Sequence, residues 1–178
     1  MSKELVIGKV RFSYPHDFQP HSSEEGKEKK YSISLLIAKK DKALVKRLKD
    51  AIDEVKKDPD SSRIWGGKIP ANLKTPLRDG DLEREDEAYK DHFFMNCSSK
   101  RRPGIVDENL NKIISEDDFK AGDYGRANIN IYAYNWNGTK GIAVGLNNLQ
   151  KLEDGESLAG GRTAEEAFGS ESDDADLM

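Results

Sequence analysis

Two alternating runs, Tyr124 to Trp136 and Gly141 to Leu149, are joined by Asn137-Gly138-Thr139-Lys140. Asn-Gly between such runs is the strongest short-range signal for a β-hairpin, because the tight turn needs positive φ at both central residues. A period of two fits a strand and not a helix, so this part of the chain has to be sheet. On the first strand Gly125, Ala127, Ile129, Ile131 and Ala133 share one face, small and apolar enough for a barrel interior. Tyr124, Arg126, Asn128, Asn130, Tyr132, Tyr134 and Trp136 share the other. Polar-out is ordinary for a half-solvated sheet. Three successive rings on the outward face are not, and they ask for a partner surface. An unpaired nucleic-acid base offers one, since its π-face stacks on Tyr or Trp. Arg126, Asn128 and Asn130 would then hold phosphate or sugar. The competing reading is that residues 59–91 fold over the rings and bury them.

Upstream, Leu5 to Tyr14 reads as a strand ended by Pro15, with Leu5, Ile7 and Lys9 on one face and Val6, Val10 and Phe12 on the other. His16 to Lys30 reads as a long polar loop. Tyr31 to Ile37 alternates as a half-buried strand. Asp41 is the expected N-cap of a helix whose stripe is Leu44, Leu48, Ala51, Ile52 and Val55. That helix should stop near Lys57, because the residue before Pro59 avoids the α region. Its lysine-rich face reads more readily as solvated surface than as a DNA site. Residues 59–91 read as an irregular excursion. His92 to Ser98 and Gly104 to Asp107 are strand candidates around the basic turn Lys100-Arg101-Arg102-Pro103. One helix among short strands gives a mainly β class, and an OB-like barrel is the best single match, since such barrels bind oligonucleotides.

Charge is unevenly spread. Residues 152–178 hold nine acids and one arginine, a net −8, while the remainder has 28 bases against 24 acids. A basic body with an acidic tail is a layout that suits nucleic acid, though a solubilising tail would look the same. The organisation expected is an OB-like domain over 1–152 and a disordered acidic tail over 153–178, too poor in apolar residues to offset its ordering entropy. No stretch is apolar enough for a membrane span. The start carries no apolar leader pattern, and Cys97 stands alone, so a cytoplasmic address is expected. Lys100, Arg101, Arg102, Lys140, Lys68, Arg63, Lys74 and Arg78 add cations near loop ends, where phosphate contacts make affinity salt-dependent. Trp65-Gly66-Gly67-Lys68 reads equally as a flap over a base and as an anchor for the long loop.

Three stretches carry a resemblance: KTPLRDGD (74–81), SKRRPGIVD (99–107), and GDYGRANINIYAY (122–134) running on through KGIAVGLNNLQKL (140–152). Together they resemble a tailed-phage single-stranded-DNA-binding protein family, once described only as a domain of unknown function. The resemblance implies an OB-fold, non-catalytic binding of single-stranded DNA in phage replication or recombination, and a tail that meets replication or recombination proteins. It points to Arg126, Tyr132, Tyr134 and Lys140 in the hairpin and to Lys100, Arg101 and Arg102 in the turn. In the tail, the partner contacts fall to Asp173, Asp174, Asp176, Leu177 and Met178. An OB barrel usually carries its helix between the third and fourth strands. Here the helix follows the second strand that can be read, so a strand is expected to be hidden in 9–30 or 59–91.

No cofactor or metal is expected. The runner-up function is a metal-dependent nuclease or recombination enzyme using the acids from Asp79 to Glu87, which could ligate Mg²⁺. A third reading is a phage structural protein whose aromatic face meets protein.

Overall fold

The hairpin forms as its alternation requires. Strands β6 (Tyr124–Trp136) and β7 (Thr139–Glu153) pair antiparallel along their length. The turn is tighter than the four residues read from sequence: Thr139 and Lys140 already pair with Trp136 and Asn135. Asn137 (φ 49°) and Gly138 (φ 87°) make the turn alone, and both sit in the left-handed region that such a turn demands.

The computed structural model describes residues 2–21 and 29–158. Around the hairpin stand β1 (Ser2–His21), β2 (Lys30–Ala38), β3 (Arg78–Asp79), β4 (His92–Ser99) and β5 (Gly104–Val106). β1 pairs with both β2 and β6, β2 pairs with β4, and β4 meets β7 in parallel at Ser98 and Gly145. The ring β1-β2-β4-β7-β6 therefore closes, giving a five-stranded barrel that matches an OB-fold. Closure removes the exposed edges an open sheet would present.

Register shifts in β1 overturn the simpler reading of that strand. Gly8 pairs with Arg126 and Val10 with Gly125, so one extra residue lies between them. Its insertion turns Leu5, Ile7, Val10 and Phe12 all inward, where each is buried, and leaves Lys9 outside. A second shift between Ser13 and His16 carries the strand past Pro15 to His21. Proline lacks the N–H of a regular ladder position, and a bulge is where a strand tolerates it. The first six residues of the expected loop 16–30, His16 to His21, are thus strand. β2 is also more buried than its alternation implied: Ile33 to Ile37 are all buried, and Leu36 packs outward under Tyr89 and Phe94.

Helix α1 (Lys42–Lys57) starts at Asp41, whose carboxylate accepts from Leu44 N at 3.2 Å, and ends before Asp58-Pro59. Leu44, Val45, Leu48, Ala51, Ile52 and Val55 are buried in the same core as the barrel interior, so the helix plugs the barrel. Asp58 then caps a second helix, α2 (Pro59–Ile64), with proline at its favoured first position. The excursion holds a further short helix, α3 (Gly80–Glu83), beside β3. Among the described residues only two barrel strands precede α1, so its place between the second and third is real; the strand hidden in 59–91 is β3, which pairs with β4 outside the barrel. β7 ends at Glu153, yet the chain stays on the barrel beyond it: Leu158 N donates to Ala121 O at 3.0 Å. The acids from Glu165 to Asp176, Leu177 and Met178 lie outside the described residues.

Candidate nucleic-acid interface

β6 displays the row that its alternation predicted. Ala127, Ile129, Ile131 and Ala133 are buried; Tyr132 and Tyr134 are half-buried; Trp136 is 72% exposed at the hairpin end. What the row lies on was not read from sequence. The facing positions of β7 are Gly141, Ala143 and Gly145, opposite Tyr134, Tyr132 and Asn130. Tyr134 covers Gly141 so closely that a Cβ there would stand 2.8 Å from its ring carbons. The Asn130 amide covers Gly145 in the same way. Small residues on β7 let the rings of β6 lie down across the sheet, which presents a flat face outward. Asn128 is tied into the ladder, donating to Glu4 Oε1 at 3.0 Å and accepting from Asn148 Nδ2 at 2.9 Å. Arg126 is exposed and reaches Gln150 Oε1 at 3.4 Å.

The excursion does not bury this face. Its Tyr89 end packs over Leu36 and Phe94, on the outer side of β2 and β4. Its α2 end braces the hairpin from below. Trp65 is fully buried, and its Nε1–H lies 3.2 Å from both Tyr134 O and Gly141 O. The flap reading of Trp65 is therefore corrected: a ring with no exposed surface cannot stack on a base, and it serves as the anchor instead. Asn135 Nδ2 donates to Ile64 O at 3.1 Å, completing the brace. Lys68 and Lys140 are exposed beside it.

At the foot of β6, Tyr124 lies under two cations that the sequence reading missed. Lys9 Nζ is 5.0 Å and Arg11 Cζ 5.3 Å from its ring centroid. Both come from β1, Lys9 as the bulged residue and Arg11 as the direct partner of Tyr124. Only the bulge brings them there, and it leaves no local signal. Residues 153–156 cover this end: Glu153 contacts Lys9, and Arg11 donates to Glu156 O at 2.8 Å. Asp123, fully buried, pins the segment by accepting from Gly155 N at 3.2 Å.

The family described as Enterobacter phage Enc34, ssDNA-binding protein, matches residues 3–178. The chain belongs to that family. A curated relative, putative protein p50 of Acyrthosiphon pisum secondary endosymbiont phage 1, is 28% identical over 166 residues, 90% of this chain and 89% of that one. Among solved structures, the single-stranded DNA-binding protein of bacteriophage Enc34 in complex with ssDNA superposes with a TM-score of 0.76 at 24% identity, covering 88% of this chain and 89% of that one. The gp2.5 single-stranded DNA-binding protein of bacteriophage T7 gives 0.60 at 14%, covering 91% and 92%. At these identities the structural likeness carries the fold.

In this Enc34-family barrel the basic turn leaves β4 just past Ser98, which is two strands from Asn130 by way of Gly145. Lys100, Arg101 and Arg102 are exposed; Arg101 N donates to Ser99 Oγ at 3.0 Å, and the Arg102 guanidinium stands 5.3 Å from the Phe18 ring centroid. Four of the six acids proposed for a nuclease are engaged in holding the excursion together. Lys39 Nζ donates to Asp79 at 2.7 Å and to Asp81 at 2.6 Å, which holds both carboxyls below the usual range. Asp79 also caps α3, Asp81 accepts from Asp91 N, Glu83 pairs with Arg78 and Asp86 with Arg84. Among the described residues no three His, Cys, Asp or Glu side chains group as metal ligands would. Cys97 is buried, and desolvation pushes its thiol pKa up, the setting of a structural cysteine and not of a nucleophile.

Proposed function

We propose that this chain binds single-stranded DNA without catalysis, in the host cytoplasm, during phage DNA replication or recombination. Bases lie on Tyr132, Tyr134 and Trp136, while Arg126, Asn128, Asn130, Lys140, Lys68 and the turn Lys100-Arg101-Arg102 hold the backbone. The observation that carries this reading is the outward ring row laid across a shelf of small residues and left open by the excursion. Membership of the Enc34 family supports it. A titration of labelled single-stranded and duplex DNA over a salt series tests it. Single strands should bind more tightly, with affinity falling as salt rises, and Tyr134→Ala should lose about 1–3 kcal/mol if its ring stacks on a base. Equal affinity for both forms would return the aromatic row to a protein partner.

The acidic tail is read as a weak competitor for the same cations and as the contact for replication or recombination proteins, through Asp173, Asp174, Asp176, Leu177 and Met178. Tethering supports this, since a short linker sets an effective concentration near the millimolar range. The contact would be screened, with a Debye length of ~8 Å at physiological ionic strength. Deleting residues 159–178 should tighten single-strand binding at low salt, with an advantage that fades as salt rises. An unchanged affinity across the whole series would leave the tail no competitive role.

A further inference from the structure

The outward row of β6 continues past Arg126 to Tyr124, whose ring has Lys9 and Arg11 over it at 5.0 and 5.3 Å. A ring flanked by two cations suits a nucleotide: the base takes the π-face, and the phosphate takes the ammonium or guanidinium. The chain's own residues 153–156 now fill this place with matching chemistry. The Glu153 carboxylate sits on Lys9, where a phosphate would sit. The backbone of Gly155 lies on the Tyr124 ring, where a base would lie, so close that a Cβ there would be 2.9 Å from the ring. The Glu156 carbonyl oxygen takes the Arg11 guanidinium. Lys9 and Glu153 are both about half exposed, and an exposed ion pair of this kind holds by at most about 1 kcal/mol. A polyanion can displace that carboxylate from Lys9, while the backbone behind it is held by the pairing of Glu153 with Tyr124 and by Gly155 N donating to Asp123.

We propose that Lys9, Arg11 and Tyr124 form a further nucleotide subsite for single-stranded DNA, at the opposite end of β6 from Trp136, in which a DNA phosphate replaces the Glu153 carboxylate on Lys9. The inference rests on the reading of the β6 face as a DNA platform. At about 3.3 Å per residue, the two ends of β6 lie about 40 Å apart. A short oligonucleotide held at the hairpin rings therefore does not reach Tyr124, while one near the upper end of the ~4–16 nucleotides that an OB fold covers does.

The test is fluorescence anisotropy with oligo(dT) of ~5 and ~15 nucleotides, using the full chain and checking each variant's melting curve. Tyr124→Ala and Lys9→Gln should each weaken the long oligomer several-fold and leave the short one unchanged; Tyr124→Phe should retain wild-type affinity. Gly155→Ala places a methyl group against the Gly122 carbonyl and the Tyr124 ring, and so lifts the segment. It should tighten the long oligomer several-fold, a gain lost when Tyr124→Ala is added. If Tyr124→Ala proves unstable, the exposed Lys9→Gln carries the decision. Indifference of the long oligomer to Lys9→Gln and to Gly155→Ala, while Tyr134→Ala still weakens both lengths, would overturn the subsite and leave the platform standing. Indifference to Tyr134→Ala as well would remove the platform and the subsite together.

Discussion

Trp65→Ala should lower the unfolding free energy by about 3–5 kcal/mol, the range for truncating a buried aromatic, and should weaken DNA binding although the indole never meets DNA. The ring is fully buried between α2 and the hairpin. Its removal leaves a cavity under the strand ends that carry Tyr134 and Gly141, and it strips the shared donor from their two carbonyls. A brace that fails there lets the hairpin end move, and Trp136 and Lys140 move with it. Trp65→Phe separates the two losses. It keeps most of the volume and gives up only the N–H, a change worth about 1 kcal/mol plus the smaller ring's packing. Urea unfolding of the three proteins, followed by binding measurements well below each midpoint, reads both effects. A Trp65→Ala protein that unfolds like wild type but binds DNA poorly would put the indole back on DNA and refute the burial.

The parts of this fold that sequence made legible are those whose cause is local. The β6 alternation, the Asn137-Gly138 turn, the Asp41 cap and the stop before Pro59 each follow from neighbouring residues, and each stands in the structure, the turn two residues shorter than read. What stayed hidden depends on partners distant in the chain. The bulge at Lys9 changes the phase of β1, so two apparent faces, Leu5 with Ile7 and Val10 with Phe12, become one buried set. Pro15 reads as an end because the second bulge that accommodates it is a property of the β1–β2 pairing. Trp65 was undecidable because a tryptophan beside two glycines suits an anchor and a flap equally, and only the hairpin carbonyls settle it. The candidate site divides in the same way. Its rings came from period two on a single strand. The shelf beneath them needed the register of β7, and the cations over Tyr124 needed the bulge.

Asp17 carries the second large expectation: stability should fall as pH rises from about 4 to 7, and Asp17→Asn should abolish that component. Asp17 lies on β1 beyond Pro15, 3% exposed, and its Oδ2 has no hydrogen-bond partner. Desolvation by burial pushes its pKa up to about 7; Glu116 adds to the rise, and Arg102 and the backbone N–H groups of Asp17 and Phe18 oppose it. In the unfolded chain an aspartate titrates near 3.9. Below that pH both states are protonated, and the group contributes nothing to the pH dependence. Between the two values the folded state keeps a proton that the unfolded state has released, so stability declines with pH and levels off once the folded group ionises. Three pH units at 1.36 kcal/mol each bound the loss at about 4 kcal/mol. Asparagine removes the ionisation and keeps the shape. The variant should therefore match wild type near pH 4 and exceed it at pH 8, with the gap opening through pH 5–7. Urea midpoints at pH 4, 6 and 8 for the two proteins give the difference directly, free of every other carboxylate that titrates in both. A constant gap across the three pH values would mean that Asp17 is ionised in the folded protein throughout, with Arg102 close enough to neutralise it.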